Sequence, residues 1–89
     1  MNIEQKPSFK RVYKKLHKNQ RVIVNQAIKN IIKNPLLGKE KSGDLAGVFV
    51  YKFNCLNQQF LLAYQFRRNY RLLLLLGVNE NFYKKLKIQ

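Results

Sequence analysis

Tyr70-Arg71-Leu72-Leu73-Leu74-Leu75-Leu76-Gly77 carries five leucines in a row. A run with no polar face has to be covered on both sides. It is too short to cross a bilayer as a helix. An unbroken apolar run also has no period by which to tell strand from helix. Its surroundings decide. Gly77 closes the run, and two β-rich stretches precede it at hairpin distance. The reading is the central strand of a small sheet, with helices on one face and a buried or half-buried surface on the other.

The preceding stretches alternate, as half-buried strands do. In 48–54, Phe49, Tyr51 and Phe53 point one way, and Val48, Val50 and Lys52 the other. In 60–66, Phe60, Leu62, Tyr64 and Phe66 share one face, and Leu61, Ala63 and Gln65 the other. Leu56–Gln59 and Arg67–Asn69 are the turns, so residues 48–76 form an antiparallel meander.

Two helices precede the meander. Pro7 breaks a short edge strand at residues 1–6, and Ser8 is a good N-cap. Phe9, Val12, Tyr13 and Leu16 then fall on one helical face, opposite Lys10, Arg11, Lys14 and Lys15, and this helix ends near His17. Asn19 is positioned to cap a second helix running to about Lys33. Its apolar positions are Val22, Ile23, Ala27, Ile28, Ile31 and Ile32, with Val24 at the margin. Asn34-Pro35 stops it, because a residue before proline is pushed out of the helical region. A connection this short makes the two helices an antiparallel hairpin. Residues 35–47 are irregular, and Leu36, Leu37 and Leu45 are expected to pin them to the core. Asn79 is positioned to cap a last short helix, in which Phe82 and Leu86 dock while Lys84, Lys85 and Lys87 stay exposed. The fold class is α+β: an N-terminal helical hairpin packed on a small twisted antiparallel sheet, with a short C-terminal helix.

The 89 residues make one domain. Eighteen Lys and Arg stand against four acids, a formal net charge of +14. Such a domain repels itself, and a polyanionic partner neutralises it in use. Nucleic acid is the first candidate, an acidic protein the second and an anionic membrane surface the third. A lysine-biased genome explains part of the excess but not the shortage of acids. The single Cys55 marks no oxidising compartment, and no signal sequence is evident. The cytoplasm is the expected location.

Several chemistries drop out. One His and one Cys do not build a usual zinc site. Four scattered acids suggest neither a carboxylate pair nor a magnesium cluster, and no phosphate-loop or dinucleotide glycine pattern occurs. Neither cofactor nor metal is expected. Catalysis would rest on Lys, Arg, Tyr, Asn or His17, groups suited to phosphodiester transfer on RNA. There the 2′-hydroxyl is the nucleophile, and the protein orients it and offsets the developing charge. Tyr or Lys can move the proton.

Lys52 lies mid-strand among apolar residues, so it is either at the sheet rim or in a cleft. Arg67 and Arg68 form a solvated hairpin tip or a phosphate clamp. Arg71 borders the leucine run, as a phosphate contact or as a charge that guards the strand against aggregation. Lys39, Lys41 and Lys84 complete the candidate phosphate contacts. Asn79, at the end of the leucine strand, is a helix cap or a site residue, and Tyr83 packs or reacts.

The whole chain resembles the RelE/ParE superfamily of toxins. The resemblance is carried by Pro7–Leu16, Gly43–Phe53, Leu61–Phe66 and Gly77–Leu86. It implies two helices on a twisted antiparallel sheet, a mobile C-terminal segment, and an acidic antitoxin that wraps the toxin. In RelE-like members it implies mRNA cleavage on the ribosome. In ParE-like members it implies poisoning of DNA gyrase without nuclease activity; no membrane partner follows from either. It assigns catalysis to the positions of Lys52, Asn79 and Tyr83, with Lys84 and Arg71 as further contacts. Relatives with a similar ending carry His where this chain has Asn79, and the arginine of RelE falls at Leu61.

Overall fold

The computed structural model describes residues 1–78 and 81–87. The order is β1 (Asn2–Gln5), α1 (Pro7–Lys14), α2 (Lys18–Lys33), β2 (Lys39–Glu40), a 3-10 turn (Gly43–Leu45), β3 (Phe49–Cys55), β4 (Gln58–Arg67), β5 (Tyr70–Gly77) and α3 (Asn81–Lys87). The class is α+β, as the alternation and helical periods indicate.

The strands form one sheet in the order β1-β5-β4-β3-β2. The meander of β3, β4 and β5 is antiparallel throughout. The sheet as a whole is mixed, because β1 pairs with β5 in parallel. The leucine strand is therefore not the middle strand. β4 is, and β5 lies between it and β1. The parallel pairing of β1 spans nearly the whole chain, and no local pattern announces it.

The sheet carries an apolar cluster on each face. On one, Phe60, Leu62, Tyr64, Leu73 and Leu76 meet Phe9 of α1 and Val24 and Ile31 of α2. On the other, Val48, Val50, Leu61, Ala63, Leu74 and Leu75 meet Phe82 and Leu86 of α3. Strand alternation sends the leucines to both clusters, with one irregularity. The register shifts between Ala63 and Tyr64, which pair with Leu75 and Leu73, so Leu74 is an extra residue in β5. Such a bulge breaks strict alternation, and it places Leu74 and Leu75 in the same cluster.

Ser8 has a different role from the expected cap. Lys6 is the N-cap of α1 and Pro7 occupies its first turn, where a missing N–H costs nothing. The Ser8 hydroxyl instead donates to the carbonyl of Leu74 at 2.8 Å. Helix α1 ends at Lys14, short of His17. His17, not Asn19, caps α2, and its backbone N–H donates to Gln20 Oε1 at 2.8 Å.

The buried positions of α2 are Val24, Ala27 and Ile31. Val24 is thus central to the core, while Val22 is 64% exposed. Leu36 and Leu37 do not pin the 35–47 segment either, being 68% and 46% exposed. Leu45 does pack against the cluster under α3, and a second pin is the hydroxyl of buried Tyr64, which donates to Pro35 O at 2.6 Å and accepts from Gly38 N–H at 2.9 Å.

Candidate functional site

The β2–β3 register decides where the cations go. Residues directly opposite in an antiparallel pair share a face. Lys39 pairs with Val50, and Lys41 N–H donates to Val48 O at 2.9 Å. Val48, Val50 and Lys52 lie on the face covered by α3. Lys39, Lys41 and Lys52 therefore project from one side of one sheet edge. Lys52 is exposed, opposite Leu61 of β4. Of the two placements open for it, the rim is the one observed.

Tyr83 joins this group. It is half-buried on α3, set edge-on against Phe82 with ring centroids 5.3 Å apart. The Lys41 ammonium lies 5.1 Å from the centre of its ring, within reach of a cation–π contact. Helix α3 can approach the sheet because residue 77 is glycine. A Cβ there would stand 2.7 Å from Phe82 Cδ1. The face is thus not an open hollow. Its floor is apolar and roofed by α3, and the cations form the rim.

The other candidates are scattered. Lys84 is exposed on α3 beside Tyr83. Arg67 and Arg68 are exposed at the β4–β5 turn. Leu61, the partner of Lys52, and Arg67 are six residues apart on β4, or about 20 Å of strand. The two arginines and Lys52 are at opposite ends of the sheet. Asn79 lies outside the described residues.

Arg71 is placed inside the fold, away from the rim. It is 5% exposed, on the face covered by α1 and α2. Its Nε donates to Ile31 O at 3.0 Å and Nη2 to Ile32 O at 2.8 Å. Nη1 reaches Arg67 O at 3.1 Å and Tyr70 O at 2.8 Å. The guanidinium also lies over Phe66, 5.6 Å from the ring centre. It ties the carbonyl-rich end of α2 to the β4–β5 hairpin, where a cation also meets the negative end of the helix dipole. Four of its five N–H donors are engaged by backbone carbonyls, so the guanidinium serves the fold.

Among the described residues three groups carry raised proton affinities: Tyr70, lifted by desolvation and by the Glu4 carboxylate beside it, and Tyr64 and Cys55, which are structural. Burial pushes the Tyr64 phenol up, with the Gly38 N–H pulling the other way. Burial also pushes the Cys55 thiol up, which keeps it protonated and unreactive.

Among the described residues, no group of three or more His, Cys, Asp or Glu could hold a metal ion, and no helix is long and apolar enough to cross a membrane. A groove of about 860 Å³ opens between α1, the start of α2 and α3. Val12, Leu16, Phe60, Leu75 and Val78 line it, with Arg11, Lys15 and Lys85 at its edges.

The comparisons with known proteins agree with this architecture. The intact RelBE toxin–antitoxin complex of E. coli contains a chain that superposes with a TM-score of 0.69 at 15% identity, covering 89% of this chain and 96% of that one. The RelBE2 toxin–antitoxin complex of Mycobacterium tuberculosis gives 0.71 at 20% identity, over 88% and 96%. The YoeB/ParE toxin of Agrobacterium tumefaciens gives 0.69 at 15% identity, over 89% and 99%. At these identities the likeness shows the fold alone. No curated protein matches the sequence. A family model does, over residues 3–87, from the parallel edge strand through α3: it describes the ParE-like toxin of type II bacterial toxin–antitoxin systems, and the chain belongs to that family.

Proposed function

We propose that this toxin acts on RNA in the ribosome, as a metal-independent mRNA endonuclease. The observation that carries the reading is the convergence of Lys39, Lys41 and Lys52 on one face, with Tyr83 packed under the Lys41 ammonium. In this mechanism the lysines hold the phosphodiester and offset the charge that builds as the RNA 2′-hydroxyl attacks phosphorus. The attack forms the 2′,3′-cyclic phosphate and expels the 5′-oxygen. The Tyr83 hydroxyl takes part in the proton transfers. Asn79, two residues before α3, is assigned to orient the sugar. Lys84, Arg67 and Arg68 extend the track for the backbone.

The partner in the resting state is an acidic antitoxin. The α1–α3 groove, apolar along its floor and basic at its edges, suits an amphipathic acidic segment.

A specific observation also favours a second reading, inhibition of DNA gyrase. Lys52 faces Leu61 rather than another polar group, and the floor beneath α3 is apolar. A surface of this kind can bind a protein without performing chemistry. Induced expression followed by separate pulse-labelling of protein and DNA synthesis discriminates the two. Early arrest of protein synthesis, together with cleavage of mRNA only when purified ribosomes are present, is the expected result. Lys52→Ala combined with Tyr83→Phe should abolish both while the protein stays folded. Wild-type toxicity from that folded double variant refutes the assignment, and early arrest of DNA synthesis with DNA cleavage complexes selects gyrase.

A further inference from the structure

We infer that Tyr64 is a positioning residue for the cationic rim, acting through its hydroxyl on β2; this rests on the RNA-binding reading above. Strand β2 is two residues long and cannot hold itself in register. Its upstream end is fixed from inside the molecule. Tyr64 is fully buried on the face of β4 covered by α1 and α2, stacked on Phe49 with ring centroids 5.9 Å apart.

Its hydroxyl makes two bonds to one loop: it donates to Pro35 O at 2.6 Å and accepts from Gly38 N–H at 2.9 Å. Gly38 sits so close that a Cβ would lie 2.7 Å from the Tyr64 oxygen. The next residue along the chain is Lys39. The downstream end is fixed on the outside, where Gly47 N–H donates to Glu40 Oε2 at 3.2 Å. Tyr64 itself faces away from the rim, so it has no contact with RNA. What it sets is the starting point from which Lys39 and Lys41 are laid against Val50 and Val48.

The test is Tyr64→Phe, which keeps the ring and removes only the clamp. Binding of a uridine oligoribonucleotide is measured by fluorescence anisotropy across about 50–200 mM salt, where each single-strand phosphate contact contributes about 0.7 to the slope of log K against log salt. Losing the placement of two lysines makes the slope shallower by about 1.4. Lys39→Ala/Lys41→Ala should lower the slope equally, and adding Tyr64→Phe to that pair should change nothing further. Amide exchange at Lys39 and Lys41 should accelerate in Tyr64→Phe, while exchange in β4 and β5 stays slow.

An unchanged slope in Tyr64→Phe overturns the inference, as does a full additional loss in the triple variant. Uniformly faster exchange across the sheet overturns it too, because that is the mark of a merely structural residue. If Lys39→Ala/Lys41→Ala alone leaves the slope intact, the RNA-binding reading fails first and the inference falls with it.

Discussion

Replacing Arg71 tests the most surprising placement in the molecule. Arg71→Met keeps a flexible apolar stem and removes the guanidinium. Four hydrogen bonds go with it, to Ile31, Ile32, Arg67 and Tyr70 carbonyls. The last two acceptors lie at an exposed turn, and water can replace the arginine there. The first two belong to the last turn of α2 and face a covered interior. Leaving a buried acceptor unmet costs about 1–3 kcal/mol, so the pair is worth about 2–6 kcal/mol, less the gain from no longer burying a charge. A net loss of about 3 kcal/mol is expected.

For a domain of this size each kcal/mol moves Tm by about 4–8 °C, so Tm should fall by more than about 10 °C. Arg71→Lys should recover at most half, since an ammonium cannot span both carbonyls as the planar fork does. Urea denaturation followed by circular dichroism measures both variants, with exposed Arg68→Ala as a control expected within about 0.5 kcal/mol. If Arg71→Met is as stable as the parent but loses RNA affinity, the clamp is an incorrect description and Arg71 is a ligand-binding residue after all.

Two further outcomes are expected. The Tyr64 phenol has a folded-state pKa above its ordinary value of 10.0, so the folded state holds its proton where the unfolded chain has lost it. Its contribution is complete below pH 10 and is lost as pH rises through the folded-state pKa; the stability difference between the parent and Tyr64→Phe should shrink over that range, and a constant difference up to strongly alkaline pH would contradict it. Gly77→Ala should push Phe82 out of its seat, destabilising the fold by about 1–3 kcal/mol. Faster amide exchange in 81–87 and reduced toxicity are expected, and unchanged exchange there would show that α3 does not depend on the close approach.

Much of the architecture was legible in the residues. Strict alternation in 48–54 and 60–66 assigned both faces of β3 and β4, because a one-residue error would have moved Tyr64 and Phe60 from the cluster under α1 and α2 to the one under α3. The leucine run gave its strand character but not its place, since five identical side chains carry no directional information. Pairing of β1 with β5 was invisible because it joins residues nearly seventy apart. The site was legible in part. Lys52 could be singled out as a charge in an apolar strand. The company of Lys39 and Lys41 could not, because a two-residue strand inside a glycine-rich stretch looks like a loop. Arg71 and Tyr64 misled or stayed silent for one reason: their partners are backbone carbonyls and amides, and main-chain groups leave no mark on a sequence.

The bulge at Leu74 has an evolutionary corollary. Because Leu72 to Leu76 are identical, losing any one of their codons yields the same protein. The shortened chain can assign the missing residue to the bulge, straightening the ladder while every other side chain keeps its side of the sheet. Slippage in a repetitive stretch of gene would thus fall on the one position in β5 with no ladder partner, at the cost of one buried leucine under α3 and of the acceptor for the Ser8 hydroxyl.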